Sequence, residues 1–344
     1  MEDIINEIDG KQYGSRKKSS TTHYLVNLFN TVLSDIDSGG RFVNLCTIDF
    51  TKAFDRVDHT VLINKLINVV VRPSIIPVIS SFVSNRVINT IFKQCVSSTI
   101  GITCAVPQGT KLGLILFLVL VNDVARNVPR RWKYVDDLTF GEVMNAKREE
   151  QKMQSILDNV SLWCTNKYML PKLSKCHIMI VSFLQSRTPD PIVTLNDQVI
   201  HVVDSMKLLG VIIQNDLKWD KHVNECIYKA SKLLFTLSIL RKAKAPVNDL
   251  LCVFITYIRP VLEYAYPLWH ISLTIIQRNR IERVQKRALR SIFGMDYCSY
   301  DNALILSGLS SLNTRRDNLM MKFGNELLAS KLFRDICFPL SQSR

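Results

Sequence analysis

A chain of 344 residues with 47% hydrophobic side chains can bury a sizeable core, which excludes wholesale disorder and leaves room for two or three subdomains, not a string of modules. Lys and Arg outnumber Asp and Glu by 44 to 30, and the resulting charge of +14 points to a polyanionic partner such as nucleic acid. Nine cysteines with no C-x-x-C pair and no zinc-like Cys/His spacing argue against a disulfide framework, and the longest apolar run, Leu114 to Val121, is too short to cross a bilayer.

In chain order, Lys11 to Thr22 is a basic loop rich in Gly and Ser, leading into a helix marked by Tyr24, Leu25, Leu28, Phe29 and Val32. Residues 42–48 read as an apolar strand ending in Asp49, with Phe54 five residues later; Asp55 and Asp58 read as helix-start or solvated acids. Residues 59–84 carry helical spacing broken at Arg72-Pro73. Val87–Lys93 and Ser98–Cys104 form an expected hairpin, Pro107-Gln108-Gly109 a turn, and Thr110 to Val121 an apolar, hence buried, helix.

The stretch Arg131–Phe140 sets apolar and β-branched residues on both sides of Asp136-Asp137, the pattern of a hairpin with two carboxylates at its tip. A bare Asp-Asp pair is most often a solvated turn. Adjacent carboxylates are costly to bury unless a cation sits beside them, however, and Asp49 ends a second strand. Two such strands side by side make an oxygen-ligand site for a pair of Mg²⁺ ions. Lys147–Thr165 then reads as an amphipathic helix with Met153, Ile156, Leu157, Val160, Leu162 and Trp163 inward. From about residue 219 the pattern is helical. Arg280, Arg283, Arg287 and Arg290 form one stripe beside a core stripe of Ile281, Val284, Ala288 and Ile292. Residues 219–344 hold 19 Lys/Arg and 10 Asp/Glu, so +9 of the +14 lies there, and a one-sided arginine stripe suits a phosphate backbone.

Three segments, in order and spacing, resemble polymerase motifs A, B and C of the non-LTR (LINE-type) retrotransposon reverse transcriptases: Asp49-Phe50-Thr51-Lys52-Ala53-Phe54-Asp55-Arg56-Val57-Asp58-His59, Val106-Pro107-Gln108-Gly109-Thr110-Lys111-Leu112-Gly113 and Tyr134-Val135-Asp136-Asp137. Met169 to Ile180 resembles motif D and Met206 to Ile213, followed by Asp216-Leu217-Lys218-Trp219, motif E. The resemblance covers roughly residues 12–320. It implies an α+β right-hand polymerase, with partial fingers over 1–41, a palm over 42–218, a helical thumb over 219–310 and a tail over 311–344. The palm would be an antiparallel sheet with backing helices.

The same resemblance implies RNA-templated addition of dNMP to a DNA 3′-hydroxyl, with an RNA template, a DNA primer and dNTPs as partners. Two Mg²⁺ ions, or Mn²⁺ in their place, would be held by Asp49, the Phe50 backbone carbonyl and Asp136, with Asp137 less direct. Phe54 would exclude a 2′-hydroxyl, since a bulky apolar side chain offers it neither room nor a hydrogen bond. Gln108 and Gly109 would lie against the nascent base pair, Arg16 and Lys17 would contact the triphosphate, and Lys175 would protonate the leaving pyrophosphate. Lys207, Gly210 and Trp219 would grip the primer end, and the arginine stripe would follow the backbone. Family members usually have Gly where this chain has Ala105, which matters if the backbone there needs positive φ. The length leaves no room for an endonuclease or an RNase H, so an endonuclease would come from another chain. The expected setting is intracellular, in nucleus or cytoplasm, not secreted and not membrane-bound. The competing reading is a truncated remnant that binds RNA and DNA but polymerises weakly.

Overall fold

The computed structural model describes residues 7–37, 41–68, 72–145, 152–184, 190–330 and 333–334. Its centre is a strand, β1 (Arg41–Ile48), whose residues from Phe42 on are almost all buried, as a near-continuous apolar run predicts for the middle of a covered sheet. A ribbon of β2 (Arg86–Ile88), β3 (Ile91–Phe92), β4 (Cys95–Val96) and β5 (Ile100–Ile102) follows, pairing β2 with β5 and β3 with β4. The hairpin β6 (Arg131–Tyr134) and β7 (Asp137–Asn145) then lies back on β1, which pairs antiparallel from Arg41 with Asn145 to Ile48 with Leu138. On its other side β1 pairs antiparallel with β8 (His177–Val181).

A small hairpin of β9 (Thr194–Leu195) and β10 (Gln198–Val199) precedes β11 (His201–Val202), which joins β8 in parallel and completes the sheet order β11-β8-β1-β7-β6. The sheet is thus antiparallel except at that last edge. Cys46, Ile48, Leu138, Phe140 and Ile178 face one core with the helices Lys111–Leu120 and Met153–Asn166. The first of these helices is buried nearly all round, as its wholly apolar sequence requires.

The chain divides into two compact units, residues 1–24 with 31–204, and residues 25–30 with 205–344. The stretch 42–218, expected as one palm, therefore splits at Asp204/Ser205. The hairpin of β12 (Ser205–Leu208) and β13 (Val211–Gln214) goes with the second unit. There the helices Asp220–Lys242 and Ile275–Phe293 pack together, the latter opened by a capping box at Thr274 and Gln277.

The segment from 311, expected as a tail, is in part the helix Leu312–Ala329. It carries the fully buried Arg316, whose Nε donates to His270 Nδ1 at 3.2 Å and whose guanidinium lies over the Trp269 ring. A second correction concerns the helix Met153–Asn166. Met153, Leu157, Val160 and Cys164 form its buried stripe at helical spacing, and Leu162, expected inward, is 61% exposed because it sits two residues, roughly 200°, round from Val160. The start expected at Lys147 lies outside the described residues. No helix among the described residues is long and apolar enough to cross a membrane.

Candidate active site

The ladder register makes neighbours of the first two acids. Because Ile48 pairs with Leu138, the next residues beyond the ladder are Asp49, just past β1, and Asp137 at the start of β7. Opposed side chains on paired strands stand about 4.5–5.5 Å apart at Cβ, and like charges there repel. Asp136 occupies the two-residue turn between Tyr134 and Asp137. The other turn residue, Val135, has φ +58°, where hairpin turns usually place Gly, so this β-branched residue is strained at the point where the acids are presented.

Burial, then the charges of Asp136 and Asp49, push the Asp137 carboxyl up to about 6; burial and the Asp49 charge also raise Asp136. A cation already stands among them: Lys175 Nζ lies 2.5 Å from Asp49 Oδ2, and that contact raises the lysine's own pKa.

The loop bearing Lys175 is fixed by backbone bonds. Thr51 N–H donates to Leu170 O at 2.8 Å and Lys172 N–H to Asp49 O at 2.7 Å, so Pro171 bridges Phe50. Neither bond uses the Phe50 carbonyl. Lys175 ends a short 3₁₀ turn, Leu173–Lys175, with its side chain 59% exposed.

The segment 105–109 docks on the loop after Asp49. Val106 N–H donates to Phe54 O at 3.0 Å, Ala105 N–H to Val57 O at 2.8 Å, and the Gln108 side-chain amide to Asp55 Oδ1 at 3.1 Å. Asp55 is thus a partner of Gln108 more than a merely solvated acid. Phe54 is half-buried and stacks on Phe117 at 4.4 Å between centroids. Gly109 has φ +78° with open space where a Cβ would project. Gly113 has a different constraint, because a Cβ there would lie 2.2 Å from Pro107 O, so only Gly lets the turn close on its helix. Ala105 does sit at positive φ, +87°, which makes it a strained stand-in for Gly.

Of the basic loop, Arg16 is half-buried with Nη1 donating to Asp9 O at 3.3 Å, and Lys17 is exposed. This loop reaches the acid-bearing turn through Gly14, which abuts Val135.

The remaining candidates belong to the second unit. Lys207 is exposed on β12, and Gly210, φ +87°, closes its hairpin against the Tyr264 ring while the Tyr264 hydroxyl donates to Leu209 O at 2.7 Å. Arg283, Arg287 and Arg290 are exposed beside the buried Ile281, Val284, Ala288 and Ile292, with Arg280 half-buried and bonded to Asn224. Trp219 was expected at the primer. It is instead 3% exposed and stacks on Phe29 at 5.6 Å, so its indole is core. Sequence reasoning missed Asp9, Gln12 and Gly14, which pack on β6 and its turn; the only available signal was a Gln and a Gly two residues apart before a basic run.

Whether these side chains suit a divalent ion is a question of donors and of arrangement. The donors fit: hard carboxylate oxygens, those of Asp136 and Asp137 raised in pKa by burial and neighbouring negative charge, are what Mg²⁺ or Mn²⁺ takes. The arrangement is not closed. Among the described residues no three His, Cys, Asp or Glu side chains stand ready to chelate an ion, and Asp49 is turned to Lys175.

A mixed sheet with helices on its core face, presenting acids at the shared end of two adjacent strands, is a palm-like fold. Residues 1–213 match the family model described as reverse transcriptase (RNA-dependent DNA polymerase), and the chain belongs to that family. It is similar to the probable RNA-directed DNA polymerase from transposon BS of Drosophila melanogaster, 25% identical over 315 residues, covering 86% of this chain and 34% of that protein. The RNA-directed DNA polymerase from mobile element jockey of Drosophila funebris is 24% identical over 310 residues, covering 85% and 33%. These relatives agree with the non-LTR, LINE-type resemblance, and the chain spans about a third of their length. A telomerase structure from Candida tropicalis, in complex with a fragment of telomeric RNA, overlaps at a TM-score of 0.48 with 12% identity, covering 95% of this chain and 52% of that one, a likeness too slight to argue from.

Two outcomes follow. Ala105→Gly should raise unfolding stability by about 1 kcal/mol, the rough cost of a Cβ at positive φ, as read from urea denaturation. The Asp137 pKa is raised on folding, so between 3.8 and about 6 the native state holds the extra proton and stability falls as pH rises through that window. In metal-free buffer Asp137→Asn should therefore raise the melting temperature near pH 7 and lose that advantage near pH 4; equal gains at both would contradict the repulsion.

Proposed function

We propose that this chain performs RNA-templated DNA synthesis, adding dNMP to a DNA 3′-hydroxyl with release of pyrophosphate. The observation that carries the reading is the cluster of Asp49, Asp136 and Asp137 at the shared end of β1 and β7, repelling one another beside the ammonium of Lys175. Such a cluster is costly to the fold and is relieved by cations. Bound Mg²⁺ or Mn²⁺ would supply activation of the 3′-hydroxyl and neutralisation of the triphosphate and leaving oxygens.

Asp49, Asp136 and the Phe50 carbonyl hold that charge, and Asp137 tunes the field around them. Phe54, fixed on Phe117, closes the space a 2′-hydroxyl needs and selects dNTP over NTP, which disfavours an RNA-synthesising polymerase. Gln108 and Gly109 take the template-side face of the new base pair, where the missing Cβ permits close approach. Arg16 and Lys17 meet the triphosphate, and Lys175, raised in pKa and exposed, donates a proton to the leaving pyrophosphate. In the second unit, read as a helical thumb with the primer-grip hairpin, Lys207 and Gly210 face the primer and Arg280, Arg283, Arg287 and Arg290 follow a phosphate backbone. Residues 1–41 serve as the partial finger segment, and any endonuclease acts from another chain or another part of the protein. The place of action is intracellular, where the RNA template and DNA primer meet.

The test is dNTP incorporation on poly(rA)/oligo(dT) with Mg²⁺ or Mn²⁺, wild type beside Asp136→Ala. Losing a metal-held charge worth several kcal/mol should lower incorporation by about a thousandfold. Wild type and variant both silent, yet binding the duplex in a salt-dependent way, would leave the remnant reading in its place.

A further inference from the structure

Residues 9–14 lie along the outer edge of β6. Tyr13 N–H donates to Lys133 O at 2.8 Å, Lys133 N–H donates to Lys11 O at 3.0 Å, and Gln12 bridges Lys133 in parallel. The buried carboxylate of Asp9 receives both Arg131 Nε and Nη2 at 2.8 Å and stands 3.0 Å from Lys133 Nζ. Lys133, itself buried, also donates to Asn122 O at 2.9 Å, and Asp9 N–H donates to Asn122 Oδ1 at 2.7 Å. Anchors at Asp9, Lys11 and Tyr13 thus tie this strap to the strand that leads into the acid-bearing turn.

At the end of the strap the buried Gln12 makes a different kind of contact. Its Oε1 accepts from Val135 N–H at 3.0 Å and from Gly14 N–H at 2.9 Å, so one amide oxygen joins the strap to the turn itself. Gly14 closes the contact from the other side, because a Cβ there would stand 2.6 Å from Val135 Cγ2 and 2.7 Å from Val135 N. Val135 is the β-branched residue held at φ +58°. Such a conformation persists only where the surroundings over-determine it, and the Gln12 oxygen and the bare Gly14 backbone supply that constraint.

We propose that Gln12 is a positioning residue for the acid-bearing turn: by fixing the Val135 amide it holds Asp136 and Asp137 where they can share a cation with Asp49. The inference rests on the metal-dependent reading above and adds to it a residue that touches neither ion nor substrate. Gln12 acts through one acceptor oxygen, so Glu can replace it and Met, of similar length but with no such oxygen, cannot. Gly14 acts through absence of volume, so Ala there presses on the Val135 backbone and crowds the Gln12 oxygen at 3.2 Å, displacing the same contact from the other side.

The test uses the full chain and its Gln12→Met, Gln12→Glu and Gly14→Ala variants, with Mn²⁺ as the probe and its binding read from the electron paramagnetic resonance of the free ion. Thermal melts by circular dichroism monitor folding, and dNTP incorporation is followed against Mg²⁺ and against dNTP. Loss of an outer partner typically weakens metal binding by about 10- to 100-fold, and that is the expected effect of Gln12→Met and Gly14→Ala. Both should raise the Mg²⁺ needed for half-maximal incorporation and leave the KM for dNTP near wild type, while Gln12→Glu keeps wild-type Mn²⁺ affinity. Should Gln12→Met fail to fold, Gly14→Ala decides. Unchanged Mn²⁺ affinity in the folded variants overturns the proposal, as does a loss in Gln12→Glu equal to that in Gln12→Met. A wild type that binds no Mn²⁺ and incorporates no dNTP overturns the metal reading itself and this inference with it, an outcome distinct from a variant-specific failure.

Discussion

Like charge gathered at the end of the central ladder is the constraint on which the rest of the first unit depends. Asp49 and Asp137 follow directly from the register of β1 and β7, and Asp136 from the turn between β6 and β7, so folding the sheet brings the acids together. Burial prevents water from fully screening Asp136 and Asp137, and their protons are correspondingly harder to remove. A fold that kept three such groups for stability alone would be better served by neutral side chains. Lys175 offsets part of the charge, but one exposed ammonium paired with Asp49 leaves Asp136 and Asp137 still raised in pKa.

The surroundings are held to this cluster mainly by main-chain bonds. Asp49 O accepts from Lys172, Phe54 O from Val106 and Val57 O from Ala105, so the segments carrying Lys175 and Gln108 are indexed to the strand end by backbone atoms. Backbone bonds of this kind tolerate exchange of side chains. Where side-chain volume does enter, it is decisive: Gly113 lies under Pro107 O and Gly14 against Val135, at separations no Cβ could occupy. Ala105 shows the opposite case, a Cβ accepted at positive φ on a half-buried connection at the cost of local strain.

Much of this was legible in the sequence, and the failures have physical causes. Asp49, Asp136 and Asp137 could be placed because strand periodicity and turn chemistry are local signals. So could the buried helix Lys111–Leu120, whose apolar run has no other home. Trp219 was misread because an aromatic following a hairpin gives no local sign of whether it faces solvent or core, and its partner Phe29 lies far away in sequence. The division at Asp204/Ser205 was hidden for the same reason, since the hairpin of β12 and β13 is held by Tyr264, more than fifty residues on. The strap was invisible because Asp9 meets Arg131 across 122 residues, and no periodicity records such a pairing. Among the described residues no three acids stand as a ready cage for an ion, and Asp49 meets Lys175 instead, a pairing across more than a hundred residues that no local pattern records.

The measurement that bears most directly on the account is anomalous diffraction from crystals of the protein soaked with Mn²⁺. The account predicts an anomalous peak among Asp49, Asp136 and Asp137, with Lys175 Nζ drawn away from Asp49. Mn²⁺ found only elsewhere, with the Lys175–Asp49 pair intact, would contradict the claim that this cluster exists to hold a cation.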